Sequence, residues 1–107
     1  MITAIGWAKE PPISILERGG GFISVRTANK VIWVRIELHP DNRKISVACD
    51  SAEFYRYSDQ QLEGEVKPSE IPFAFNLPSG KYECAAVLSR NTGGKKEFTA
   101  RANFTIF

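Results

Sequence analysis

From Ile71 to Leu77 every second residue is large and apolar: Ile71, Phe73, Phe75 and Leu77 alternate with Pro72, Ala74 and Asn76. Side chains of an extended chain point alternately to opposite faces, so this spacing predicts a strand with one buried side. The same period returns after Pro78-Ser79-Gly80, where Tyr82, Cys84, Ala86 and Leu88 share a face of a strand reaching about Leu88. It returns again as Phe98, Ala100, Ala102, Phe104 and Ile106, with charged or polar residues between them. The Pro/Gly turn between the first two runs predicts a corner. The turn sets the chain direction, and Tyr82 can send its hydroxyl back to the backbone just left.

The rest of the chain is punctuated in the same way. Thr3, Ile5 and Trp7 alternate, Pro11-Pro12 interrupts, and Ile13 and Ile15 resume. This predicts a first strand broken by a proline kink, which blunts a sheet edge. Gly19-Gly20-Gly21 predicts a turn, and Phe22 to Thr27 a strand with Ile23 and Val25 on one face. Ala28-Asn29-Lys30 reads as a tight turn into a strand from Val31 to His39 built on Ile32, Val34, Ile36 and Leu38. His39-Pro40-Asp41-Asn42-Arg43 is the next turn, followed by strands at Lys44 to Cys49 and Glu53 to Tyr57. Ser58 to Ser69 is polar, acidic and weakly periodic, and is expected to be the main loop. Ser89 to Lys96, with Asn91 and Gly93-Gly94, is expected to be a hairpin tip. Seven to nine short strands, spaced by roughly 8–12 residues and without a helix, predict an all-β, antiparallel two-sheet sandwich. A parallel sheet would need helical crossovers that the pattern lacks.

At 107 residues, one domain spanning 1–107 is expected. The net charge of +2 is small but uneven: residues 41–80 hold four basic and seven acidic side chains, and 81–107 five and two. Shifts of this size accompany solvated loops, and no nucleic-acid partner is expected. No apolar run approaches the length of about 20 residues that a membrane span needs. The first residues lack the basic start and apolar middle of a secretory signal, so an extracellular setting is expected only if the domain is excised from a longer protein. Cys49 shares a face with Ile45 and Val47, as Cys84 does with Tyr82 and Ala86. Both point inward. One disulfide is possible and would stabilise by about 3–4 kcal/mol. Two buried thiols are the preferred reading, because nothing in the chain marks an oxidising compartment.

Leu77-Pro78-Ser79-Gly80-Lys81-Tyr82-Glu83-Cys84, a Gly-bearing hairpin, and Ala100 to Ile106 together resemble the last two strands of immunoglobulin-like domains. The segment is similar both to the Tyr-x-Cys run of the intermediate-type set and to the corner of bacterial immunoglobulin-like and fibronectin-like modules. The resemblance covers about residues 71–107. It implies an immunoglobulin-like sandwich and says little of function, since such sandwiches host many roles. Trp33 precedes both cysteines, so the Cys–Trp–Cys order of antibody domains is not kept.

Candidate chemistry is sparse. His39, the sole histidine, has no neighbour that marks it as a base. Glu63 and Glu65 share a face of a polar stretch, where carboxylates are usually hydrated. Two distant cysteines and one histidine do not make a zinc set, and Asp50, Asp59 and Glu63 lack the density of a calcium loop. Gly19-Gly20-Gly21 is followed by a strand instead of the helix a phosphate loop needs. No enzymatic activity, metal or cofactor is expected. Binding is the better expectation. Trp33 is out of phase with Ile32 and Val34, on the face shared with Arg35; alternation exposes it, whereas a bulge would turn it into the core. Tyr55 and Tyr57 share another face, and Arg90, Lys95 and Lys96 mark a basic hairpin tip. These residues suit a protein partner, reached through the outer face around Trp33 or the loops at 58–69 and 89–96. The alternatives are a surface polysaccharide stacked on the aromatics and a loop-inserting peptidase inhibitor. A homodimer through an open edge strand is also possible. Asn103-Phe104-Thr105 fits a glycosylation acceptor but falls inside a strand.

Overall fold

The computed structural model describes residues 11–16, 27–65 and 67–106, with backbone alone at 27–29. Among the described residues seven strands follow one another: β1 Ile13–Leu16, β2 Thr27–Ile36, β3 Asn42–Asp50, β4 Tyr55–Gln61, β5 Glu70–Pro78, β6 Gly80–Asn91 and β7 Lys95–Ile106. They form two sheets, β1-β2-β5 (sheet I) and β4-β3-β6-β7 (sheet II), and every ladder is antiparallel. The expected all-β two-sheet architecture is the one observed. The sequence runs at Thr3–Trp7, Gly19–Gly21 and Ile23–Val25 lie outside the described residues.

Alternation explains the core. Ile32, Val34 and Ile36 of β2 and Ile71, Phe73, Phe75 and Leu77 of β5 face Ile45, Val47 and Cys49 of β3 and Tyr82, Cys84, Ala86 and Leu88 of β6. Phe98, Ala100 and Phe104 of β7 pack against this cluster from its side. The chain crosses from sheet I to sheet II at Pro78–Gly80. There Tyr82 Oη donates a hydrogen bond of 2.7 Å to the Pro78 carbonyl, as the corner motif predicts. Gly80 takes φ 152°, a region L side chains rarely adopt, and a Cβ there would sit 3.6 Å from the Tyr82 ring.

Three expectations are corrected. Ala28-Asn29-Lys30 is strand, not turn: Ala28 pairs with Leu77 and Lys30 with Phe75, extending β2 along the whole of β5. Lys30 thereby holds an inward position, and its Nζ lies 4.3 Å from the centre of the Phe104 ring, which gives the cation an attractive apolar neighbour. Ser58 to Gln61 is also strand, pairing with Val47 back to Lys44; of the expected loop, the described residues 62–65 and 67–69 lie outside any strand. Most of β4 is exposed on both faces, so no apolar period could announce it. Finally, Cys49 and Cys84 are joined as a disulfide instead of standing as separate thiols. The β3–β6 register sets them directly opposite with Cα atoms 4.1 Å apart, so the cross-link adds to a pairing the ladder already makes.

The corner bond is open to test by urea titration. Tyr82→Phe keeps the ring and removes only the hydroxyl, and is expected to lower stability by about 0.5–1.5 kcal/mol. A neutral effect would mean that the Pro78 carbonyl finds an equal partner in water.

Candidate functional site

On the outer face of sheet I the register lays out rows across the strands. Leu16, Trp33 and Pro72 form one row and Ser14, Arg35 and Glu70 the next, with Val31 opposite Ala74 beyond them. Trp33 is half-buried in the outward phase of an unbroken strand. Arg35 Nη2 and Nε donate to Glu70 Oε2 at 3.0 and 3.3 Å, and Val31 is 42% exposed.

On the outer face of sheet II, β4 contributes Tyr55, Tyr57, Asp59 and Gln61, and β3 contributes Asp50, Ala48, Ser46 and Lys44. Across β6 and β7 the rows continue through Glu83, Ala85, Val87 and Ser89 to Asn103, Arg101, Thr99 and Glu97. The middle of this face is therefore a floor of small side chains, Ala48, Ala85, Ser46 and Val87. Tyr57 stands at one margin and Arg101 at the other. Tyr55 is 56% and Tyr57 49% exposed, and Tyr57 Oη donates to Asp59 Oδ2 at 3.1 Å, which steadies its ring over the strand. A shallow depression of about 510 Å³ opens at the Asp50–Glu83–Asn103 end. Trp33 and the tyrosines lie in different sheets and face opposite ways, so they do not form one platform.

Arg90 is separated from the hairpin tip as well. It occupies the inward phase of β6, in line with Leu88, and is only 8% exposed. Its Nε donates to Asn42 Oδ1 at 2.8 Å, its Nη2 to Glu37 Oε1 at 3.0 Å, and its guanidinium lies 5.1 Å from the Phe98 ring centre. Asn42 Nδ2 in turn donates to the Glu37 carbonyl at 3.0 Å. Around this cluster His39 Nδ1 accepts the Asp41 amide at 3.0 Å, and the Thr92 hydroxyl donates to Asp41 Oδ2 at 2.8 Å. The cluster ties the β2–β3 turn to the β6–β7 hairpin, and among the described residues no buried side-chain nitrogen or oxygen lacks a partner. Lys95 and Lys96 remain exposed at the start of β7, with Lys95 Nζ 3.5 Å from Glu97. Glu63 and Glu65 are exposed in the 62–69 loop.

The small-residue floor was missed in the sequence because alanines and serines carry no signal of their own. The detectable trace was their position: Ala48 and Ala85 fall in the outward phase, where long polar residues are the norm. Among the described residues, no three His, Cys, Asp or Glu side chains stand close enough to hold a metal ion. No described helix is long and apolar enough to cross a membrane. In comparisons with known proteins, no family model, no curated protein and no solved structure matches the chain. The class defined by fold and surface is an antiparallel two-sheet β-sandwich with an aromatic-edged outer face.

Arg90 and the two lysines should behave as different kinds of residue. Arg90→Ala leaves the buried Asn42 amide oxygen unpaired and is expected to cost about 1–3 kcal/mol in denaturant unfolding. Lys95→Ala and Lys96→Ala should each fall within about 0.5 kcal/mol of wild type. Equal effects at all three positions would contradict the assignment of Arg90 to the sandwich interior.

Proposed function

We propose that this chain is a non-catalytic, immunoglobulin-like module of the fibronectin-like kind that binds a protein partner through the outer face of sheet II. The fold reading is supported by the Tyr82–Pro78 corner and by the strand partition. Constant-type immunoglobulin domains set their fourth strand beside the fifth, in the sheet opposite the third. Here β4 lies beside β3, which favours the fibronectin-like of the two resemblances.

One observation carries the binding reading: two exposed tyrosines stand beside a floor too small to obstruct a ligand. Tyrosine offers a broad rigid surface with a polar tip and loses little side-chain freedom on binding, which is why it recurs at protein interfaces. The flat floor admits an extended segment or the side of another domain. The proposed setting is an oxidising compartment, because a structural disulfide persists there and not in a reducing cytosol.

Ala85→Arg fills the floor without touching the core, and Val31→Arg alters the opposite face equally. With a partner captured by the wild type and then purified, Ala85→Arg is expected to weaken binding about tenfold or more. Val31→Arg should change it little, and the Tyr55 and Tyr57 ring resonances should shift on titration. The reverse pattern would move the site to the Trp33 face. Tyrosine shifts produced by oligosaccharides, with no protein partner binding, would replace this reading with carbohydrate recognition.

A further inference from the structure

The four sheet edges among the described strands are not equally protected. β1 has four residues and follows Pro11-Pro12. β5 carries Pro72 and Pro78, which withhold amide protons. β7 begins with two lysines and packs against β1 of the other sheet. β4 has none of these devices. It is seven residues long, contains no proline, lysine or glycine, and pairs with β3 alone among the described strands. An edge of this length, guarded by Arg56 and Asp59 alone, is a template for another strand.

Its hydrogen-bonding phase is known. Just beyond each end of the ladder, the Leu62 amide donates to the Arg43 carbonyl at 2.8 Å and the Ser51 amide to the Phe54 carbonyl at 2.8 Å. Antiparallel pairs alternate between bonded and non-bonded, so the even-numbered residues Arg56, Ser58 and Gln60 direct their amides and carbonyls to β3. Tyr55, Tyr57, Asp59 and Gln61 therefore direct theirs away from the sheet.

We infer that β4 pairs antiparallel with β4 of a second copy of this chain about a two-fold axis through Ser58, joining two sheets II into one continuous sheet. This register overlaps the whole strand. It sets Tyr57 opposite Asp59 and Tyr55 opposite Gln61, with all their outward backbone groups bonded. Arg56 meets Gln60, so the two charged residues of β4 face neutral partners and no like charges are opposed. Tyr57 and Asp59 already hydrogen-bond within one chain, and the same chemistry is available between chains. An isologous pairing closes on itself and leaves no further edge of this kind, so the assembly stops at two. The inference is independent of any partner on the sheet face. Pairing would place both copies' tyrosines near the centre of one enlarged surface.

Sedimentation of the full chain tests it. Wild type is expected to form dimers as concentration rises toward about 1 mM, and Asp59→Pro to raise the dimer Kd about tenfold or more. That proline removes an outward amide and no bond to β3. The axis itself is tested by Ser58→Cys, whose two thiols would meet at a non-bonded pair with Cα atoms about 4.5 Å apart. It should form the inter-chain disulfide about tenfold or more faster than Thr99→Cys on β7, because pairing raises the effective concentration. This cross-linking comparison stands even where Asp59→Pro fails to fold. A wild-type chain that stays monomeric to about 1 mM, a dimer unaffected by Asp59→Pro in the folded state, or equal cross-linking of the two cysteine variants would each overturn the inference.

Discussion

The hydroxyl of Tyr82 reaches back to the Pro78 carbonyl across the turn that carries the chain from one sheet to the other. That bond closes a short loop in which Gly80 adopts a conformation other residues resist. It thereby fixes which residues of β5 and β6 face each other. A strand displaced by one residue turns its whole apolar set to water, so the corner's geometry and the burial of Phe73, Phe75, Cys84 and Leu88 support the same register. From β6 the phase passes to β3 on one side and β7 on the other. The Cys49–Cys84 cross-link reinforces the first of these ladders at directly opposed positions.

At the far end of the sandwich the apolar core gives way to a polar closure. Arg90 continues the inward phase past Leu88, and a charge there is tolerable because Asn42, Glu37 and the Phe98 ring surround it. Glu37 is 54% exposed, so only the arginine of this pair is buried, and a misplaced Arg90 would be left charged and unpaired inside the sandwich. Arg90 and Asn42 therefore serve to hold the β2–β3 turn against the β6–β7 hairpin in one arrangement. With both ends tied, the character of the outer face of sheet II depends on which side chains the outward phase delivers.

Legibility followed burial. β5, β6 and the far half of β7 could be read directly because one face of each packs in the core, so apolar residues recur at period two. β4 could not, since a strand exposed on both sides has no reason to alternate. Lys30 and Arg90 were misleading for a different reason: each is charged yet inward, made tolerable by an aromatic ring that sequence order does not reveal. The cysteine phases were correct, but pairing depends on the β3–β6 register, which local periodicity does not contain. The same dependence hid the floor of Ala48 and Ala85, which becomes a surface only once four strands are aligned.

The cysteine pairing and the outer face of sheet II both depend on the register of β3 against β6, and nuclear Overhauser contacts measure it directly. Strong Hα–Hα contacts are expected at Cys49/Cys84, Val47/Ala86 and Ile45/Leu88, the closely spaced non-bonded pairs of the ladder. Contacts displaced by one residue, such as Ala48/Cys84 or Ser46/Ala86, would contradict the account, because they would turn the core of sheet II outward and bury the face on which its function is proposed to rest.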